Sequence, residues 1–205
     1  MSHRFSAGDF RERVRRLSAI DGVTDGDHTL NPDLQELMAQ MKLRDAAVLV
    51  PVVDYGDDTR MILTKRTEKL RSHSGQISFP GGRIDATDPT PEFAAMREAE
   101  EEIGLTPDYI EIIGRMPDYV SGSGFRIAPI LAVVRPGFSL KINEDEVDDA
   151  FEVPLEFLMD PANHNRESRL WQNRERFFYT MPFGERYIWG ITAGIIRNVY
   201  ERLYA

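Results

Sequence analysis

The feature that most constrains the fold is a helix whose two ends and two faces are all specified by the sequence. Thr90 fits the N-cap, Pro91 fits the first helical position, and Gly104 fits the left-handed residue that ends a helix. At about 100° per residue, one side of this helix is acidic and the opposite side is apolar. The apolar side chains are Phe93, Met96, Ala99 and Ile103. The spacing therefore predicts a helix over residues 92–103 that packs its apolar side against another layer of the protein.

The acidic side of the same helix contains Glu98, Glu101 and Glu102. These residues fall within one arc about 100° wide, so their carboxylates repel one another. A hard divalent cation, which prefers oxygen ligands, relieves this repulsion, and we therefore predict a metal site here. The alternative is an acidic face that contacts only solvent, which is the common outcome for such a run of charges taken alone.

The flanking segments predict a mixed sheet covered by helices. Runs of apolar and β-branched residues predict strands over residues 46–53, 60–65, 109–114, 127–134 and 152–153. Helical spacing covers residues 10–17, 33–41, 155–159 and 188–203, with a loop over residues 21–32. Because strands and helices do not alternate regularly, an α/β sandwich is expected. Residues 1–42 are predicted as an N-terminal helical extension, and residues 43–205 as one domain with one active site.

The composition limits the classes of partner. A formal net charge of −9 argues against non-specific nucleic-acid binding, because the molecule repels phosphate polymers. The absence of cysteine excludes disulfides, zinc–thiolate sites and a thiol nucleophile. The N-terminus lacks the apolar segment of a secretory signal, and the longest apolar run, residues 46–53, is too short to span a bilayer. We therefore predict a cytoplasmic protein with no nucleic-acid or membrane partner.

Two segments upstream of the acidic helix are suited to a phosphate-bearing ligand. Gly81 and Gly82 allow the backbone to approach a ligand closely, although an ordinary turn is the alternative. Further upstream, a cluster of positive charge provides candidate phosphate contacts in an otherwise acidic chain. It includes Lys65, Arg66 and Arg71. The alternative for these cations is pairing with surface carboxylates.

Residues 97–105 resemble the tail of the Nudix box, R-E-U-x-E-E-x-G-U, in which U is aliphatic or small, and they match every fixed position. The usual upstream spacing, G-x5-E-x7-R-E, is not matched, because the expected glutamate falls on Pro89 and the expected glycine on Arg83. One residue is inserted, so Gly82 lies one step further from Arg97. The coenzyme A pyrophosphatase branch of the Nudix hydrolases has the same longer spacing.

That branch also has an upstream signature, L-L-T-K-R-[SA]-x3-R-x3-G-x3-F-P-G-G. Residues 62–82 resemble it throughout, and only Ile62 and Thr67 depart from it, both mildly. Two long signatures in the same order are more specific than either alone. They favour a metal site over an acidic face that contacts only solvent.

The resemblance implies a Nudix-type α/β/α sandwich with a mixed sheet, in addition to the N-terminal helices. It implies hydrolysis of coenzyme A, or of its acyl or oxidised derivatives, to 4′-phosphopantetheine and adenosine 3′,5′-bisphosphate. Mg²⁺ or Mn²⁺ is the implied cofactor, held by Glu98, Glu101 and Glu102, while Arg97 is expected to pair with a carboxylate and hold the adjacent loop. The expected substrate-binding residues are Lys65, Arg66, Arg71, Gly81 and Gly82.

Glu146, in the acidic loop over residues 143–147, is a candidate additional ligand or general base. A solvated loop is the alternative for it. A homodimer is also expected, and the apolar stripe of residues 188–203 fits either the core or an interface.

Two other functions remain open for the same motifs. A Nudix enzyme for ADP-ribose, NADH or another nucleoside diphosphate derivative would need the acidic helix but not the upstream signature. The second function is that of a catalytically silent Nudix module that binds a ligand. The crowded carboxylates argue against it, because a site without catalytic function has no physical reason to keep like charges together.

Overall fold

A computed structural model describes residues 4–17, 25–69, 73–171 and 173–205. The helices within these residues are α1 (Ala7–Arg16), α2 (Gln35–Gln40), α3 (Pro91–Ile103), α4 (Leu155–Leu158) and α5 (Gly190–Leu203). The strands are β1 (Asp25–Gly26), β2 (Arg44–Val53), β3 (Arg60–Arg66), β4 (Ile77–Ser78), β5 (Gly81–Arg83), β6 (Ile110–Arg115), β7 (Tyr119–Val120), β8 (Phe125–Val134), β9 (Val147–Pro154), β10 (Asn165–Trp171), β11 (Arg174–Phe183) and β12 (Arg186–Trp189). Short 3-10 turns cover Asp27–Thr29, Pro32–Leu34, Pro107–Tyr109 and Pro161–Asn163. No helix in the described part of the chain is long and apolar enough to span a bilayer.

The larger of two sheets is mixed, as the sequence predicts. Its strands follow the order β1-β7-β8-β2-β3-β4, with β5 paired to β2, β6 to β8 and β9 to β3. The central strands β2 and β8 run parallel along their whole length, whereas β3 and β5 are antiparallel to β2. A second sheet, β10-β11-β12, is antiparallel throughout.

Helices cover both faces of the large sheet. Successive residues of a strand face opposite sides, and on β2 the residues Ala46, Val50 and Val52 pack into the apolar cluster that includes α1, α4 and α5. The alternate residues Ala47, Leu49 and Val53 pack into the cluster that includes α3. These two layers confirm the α/β/α sandwich.

Some boundaries predicted from the sequence are wrong. Ile188 and Trp189 belong to β12, where they pair with Met181 and Thr180, so the last helix begins only at Gly190. Main-chain pairing with β11 therefore overrides the helical spacing of the apolar residues. Phe93 is 46% exposed rather than packed, because Ala94 and Ala95 are the buried residues at that end of α3.

The predicted helix over residues 33–41 is shorter, since α2 covers Gln35–Gln40 and follows a 3-10 turn. Tyr109 lies in a 3-10 turn, and its strand begins at Ile110. The predicted loop over residues 21–32 contains β1 and a 3-10 turn, and its residues 21–24 lie outside the described part of the chain. Strands β10 and β11 were not predicted, and all seven residues of β10 are exposed, so its sequence has no apolar alternation to detect.

Candidate active site

Helix α3 forms one wall of the candidate site, and its ends lie where the sequence places them. The Thr90 hydroxyl accepts a hydrogen bond from the Phe93 N–H at 3.2 Å, Pro91 is the first helical residue, and Gly104 has φ +68°. The inner side of the helix contacts β2 and β5. This packing buries Glu102, which is only 1% exposed, against the sheet.

Three carboxylates from two distant segments meet beside this helix. Glu98 and Glu102 lie one turn apart on α3, and Glu146 lies in the loop before β9. Carboxylate oxygens of the three residues lie within 4.8 Å of one another. The main chain holds the loop in place, because the carbonyl of Glu146 accepts the Thr67 N–H at 2.9 Å.

Glu102 has the most perturbed environment of the three. Burial raises the pKa of its carboxyl group to about 8, even though a hydrogen bond from the Gly81 N–H and the charge of Arg66 both favour the ionised form. The Gly81 N–H lies 3.2 Å from Oε2, and Arg66 Nη1 lies 3.6 Å from Oε1. Burial also raises the pKa of Glu98. A group of carboxylates that cannot easily ionise together fits a hard divalent cation, which supplies the missing positive charge and accepts oxygen ligands.

Glu101 is oriented differently from its neighbour Glu102. Its side chain is 54% exposed, and its carboxylate accepts a hydrogen bond from Arg97 at 2.9 Å. The structure therefore brings together two of the three helix glutamates that the sequence offered as metal ligands. Arg97 pairs with both Glu98 and Glu101 at 2.9 Å, but Glu101 lies outside the cluster.

Arg97 connects the helix to the loop that precedes it. Its Nε and Nη2 atoms donate to the two carboxylate oxygens of Asp88 at 3.0 and 2.9 Å, and Nη2 also donates to the carbonyl of Arg83 at 3.3 Å. The Asp88 side chain is 1% exposed, and the hydrogen bonds from Arg97 lower its pKa. Sequence reasoning missed Asp88, although it immediately precedes Pro89, where the Nudix box expects a glutamate.

The two glycines of β5 lie between the sheet and the carboxylates. A Cβ atom on Gly82 would lie 2.6 Å from the Glu98 carboxylate, and one on Gly81 would lie 2.4 Å from the carbonyl oxygen of Ala47. Gly81 does not accept a side chain, because its Cβ would meet the backbone of β2, and a side chain at position 82 would displace the Glu98 carboxylate. The glycines therefore allow the close contact that brings the main chain beside the acidic cluster.

A cleft of about 410 Å³ opens beside these groups. The acidic cluster and the β5 glycines line it together with Arg66 and with apolar side chains that include Phe125, Trp189 and Ile191. The Arg66 Nε is buried and has no hydrogen-bond partner among the described residues. Arg66 is therefore a cation placed beside the carboxylates, where its charge favours an anionic ligand.

The other two predicted cations are placed differently. Lys65 lines a neighbouring depression, together with Asp149 and Tyr187, and does not line the cleft. Arg71 lies outside the described residues.

Comparison with known proteins gives one family and several relatives. The model of the NUDIX domain matches residues 43–178. A protein of Cronobacter sakazakii named uncharacterized Nudix hydrolase NudL is 38% identical over 162 residues, which cover 78% of this chain and 83% of the relative. The protein of the same name from Klebsiella pneumoniae is 38% identical over 191 residues, covering 84% and 95%. The crystal structure of DR0079 from Deinococcus radiodurans aligns with a TM-score of 0.51 at 14% identity, over 80% of this chain and 85% of that one, and thus shares the fold.

Proposed function

Because the chain belongs to the Nudix family of hydrolases, we propose that it hydrolyses the pyrophosphate bond of coenzyme A or of its acyl or oxidised derivatives. The products are 4′-phosphopantetheine and adenosine 3′,5′-bisphosphate. Family membership supports the pyrophosphohydrolase reaction, and coenzyme A as the substrate is our proposal. A cytoplasmic location and a homodimer also stay predictions from the sequence.

One observation supports coenzyme A in particular. The upstream signature of the coenzyme A pyrophosphatase branch and the acidic helix are separate in sequence, yet both line the same cleft. Arg66, Gln76 and Phe79 come from the upstream segment, and Glu98 and Glu102 from the helix. Arg66 and Phe79, which match fixed positions of the signature, line the cleft beside the carboxylates, and this supports a contact with the substrate near the reacting diphosphate.

Nudix hydrolases generally use divalent metal ions, and the acidic cluster fits one. We assign Mg²⁺ or Mn²⁺ to Glu98 and Glu102, and Glu101 and Glu146 remain candidate ligands. Such an ion, when bound, neutralises charge on the diphosphate and lowers the pKa of a coordinated water.

The protein's own groups position the substrate and the catalytic helix. Arg66 is placed to donate to a phosphate oxygen, and Lys65 and Arg71 remain predicted phosphate contacts. Gly81 and Gly82 let the backbone approach the diphosphate, and Arg97 fixes the loop through Asp88. Hydrolysis adds water across the P–O–P linkage, and a carboxylate must accept the proton of that water.

Glu146 is assigned either to this proton-accepting role or to the metal ligands, and one variant separates the two. If Glu146→Gln binds Mn²⁺ as tightly as the wild type but turns over far more slowly, Glu146 is the base. Weakened Mn²⁺ binding, measured by calorimetry, identifies it as a ligand.

The test of the proposed function is product analysis after incubation with coenzyme A, ADP-ribose or NADH, each with Mg²⁺, Mn²⁺ or a chelator. Metal-dependent release of adenosine 3′,5′-bisphosphate from coenzyme A is expected. Cleavage mainly of ADP-ribose or NADH would retain the chemistry and discard the substrate. If none of the three compounds is cleaved, a catalytically silent module is favoured.

A further inference from the structure

A second cavity, of about 510 Å³, adjoins the acidic cleft. Four residues line both spaces, namely His73, Gln76, Trp189 and Ile191. The second cavity lies between the N-terminal segment of residues 27–41 and the β10–β11 hairpin. The two spaces therefore adjoin at these four residues, and a ligand long enough to pass them would occupy both.

The walls of the second cavity are largely apolar. The N-terminal segment contributes Leu34, Leu37, Met38 and Met41, and the hairpin contributes Trp171, Phe177 and Phe178. Leu37 and Trp171 are 57% and 56% exposed, so large apolar side chains remain in water at this concave surface. Exposed apolar side chains around a concavity are typical of a binding site for an apolar ligand group.

Specific contacts hold the N-terminal segment against the hairpin. Asn31 is 4% exposed, donates to the carbonyl of Phe177 at 2.9 Å and accepts the N–H of the same residue at 2.9 Å. Asp33 pairs with Arg174 and Arg176 at 3.1 and 2.8 Å. The cavity is therefore formed before a ligand binds, which reduces the ordering cost of binding.

We propose that this second cavity, the acyl cavity, binds the acyl group of a coenzyme A thioester, so that aliphatic thioesters are better substrates than free coenzyme A. The inference rests on the proposed function. The acyl group is the apolar substituent of such a substrate, and transferring it from water to an apolar wall is favourable in proportion to the area buried. Arg176 also lines the cavity and adds a cationic side chain to its largely apolar wall.

The test compares kcat/KM for free, acetyl and octanoyl coenzyme A with Mg²⁺, using release of adenosine 3′,5′-bisphosphate as the common readout. Each buried methylene group favours binding by about fourfold, so octanoyl coenzyme A is expected to exceed free coenzyme A by at least about tenfold. Leu37→Ser is expected to lower kcat/KM for the octanoyl substrate several-fold more than for free coenzyme A. Leu170→Ser is the matched control, because Leu170 is 70% exposed and does not line the cavity, and it is expected to change neither value.

Three results would overturn the inference. Equal kcat/KM for free and octanoyl coenzyme A would reject the acyl cavity while leaving the proposed function intact. An equal effect of Leu37→Ser on both substrates would do the same. No release of adenosine 3′,5′-bisphosphate from any of the three compounds would reject the proposed function and, with it, the acyl cavity.

Discussion

The acidic cleft and the acyl cavity adjoin, but they are built differently. The cleft is formed by β2, β5 and α3, which are joined by main-chain pairing and buried packing. The acyl cavity is formed by two segments distant in sequence, joined largely through the side chains of Asn31 and Asp33. The difference teaches that the proposed reacting groups are fixed by the core of the fold, whereas the proposed substrate-selecting wall can vary without disturbing them.

The largest expected effect is on turnover and concerns the acidic cleft. Glu102→Gln keeps the shape of the side chain but removes a proposed metal ligand. It should lower Mg²⁺-dependent turnover by at least about 100-fold. Groups that only orient ligands typically cost about 10- to 100-fold. Glu101→Gln is expected to have a smaller effect, because Glu101 is exposed and pairs with Arg97. Steady-state kinetics of both variants provide the measurement. Equal losses would indicate that Glu101 joins the ligands once the ion binds.

The stability of the metal-free protein should depend on pH through Glu102. Its pKa is about 8 in the folded protein, against 4.5 for an ordinary glutamate. Between these values the folded state holds more protons than the unfolded chain, so the free energy of unfolding falls as the pH rises. A fall of a few kcal/mol is expected, since each pKa unit corresponds to about 1.4 kcal/mol.

Urea unfolding in the presence of chelator, between about pH 5 and about pH 8, measures this dependence across the window of the titration. Glu102→Gln should flatten the slope and Glu101→Gln should retain it. Saturating Mg²⁺ should restore stability most at the alkaline end. A slope that is identical in wild type and Glu102→Gln would contradict the assigned environment.

Loss of Asp88, which holds Arg97, should lower kcat/KM less than loss of the metal ligand Glu102. Asp88→Ala leaves Arg97 without its buried partner, and kcat/KM is expected to fall about 10- to 100-fold, as for other residues that orient a ligand-bearing element. Asp58→Ala is the matched control, because Asp58 pairs with Arg60 at the surface, where such pairs contribute little. If the two variants have equal activity, Arg97 does not act through Asp88.

The smallest effect is expected at the acyl cavity. Asn31→Ala leaves the main-chain groups of Phe177 unpaired and should lower the free energy of unfolding by about 1–3 kcal/mol, with faster hydrogen exchange over residues 27–41. Octanoyl coenzyme A should lose more kcat/KM than free coenzyme A. Asp33→Ala removes two ion pairs of a carboxylate that is 47% exposed, and it should cost less than about 1 kcal/mol. Unchanged exchange in Asn31→Ala would show that other contacts hold the segment.

Local signals in the sequence predicted the elements of the core. Helix α3 is specified by Thr90, Pro91 and Gly104, all within or next to the helix, and its bounds were predicted nearly to the residue. The mixed sheet followed from predicted strands, such as β2 and β8, that do not alternate regularly with helices. Strand β10 has no such signal, because both of its faces are exposed.

The candidate site was predictable only in part. Glu101 and Glu102 share one arc of the helix, and only the packing of β5 against α3 decides which of them is buried. The sequence named Glu146 as a candidate, but its distance from α3 depends on the pairing of β3 with β9. Asp88 was missed because its role depends on the reach of the Arg97 side chain rather than on a fixed spacing.

The contact between Arg97 and Asp88 also bears on how the chain tolerates changes in length. The Arg97 side chain joins helix α3 to the loop that follows β5, and the helix itself packs on β2 and β5. A residue gained in that loop can therefore be accommodated as a wider bend, while the catalytic helix keeps its position. The longer spacing of the box in this chain fits such a wider bend, because the hydrogen bonds from Arg97 to Asp88 are present with it.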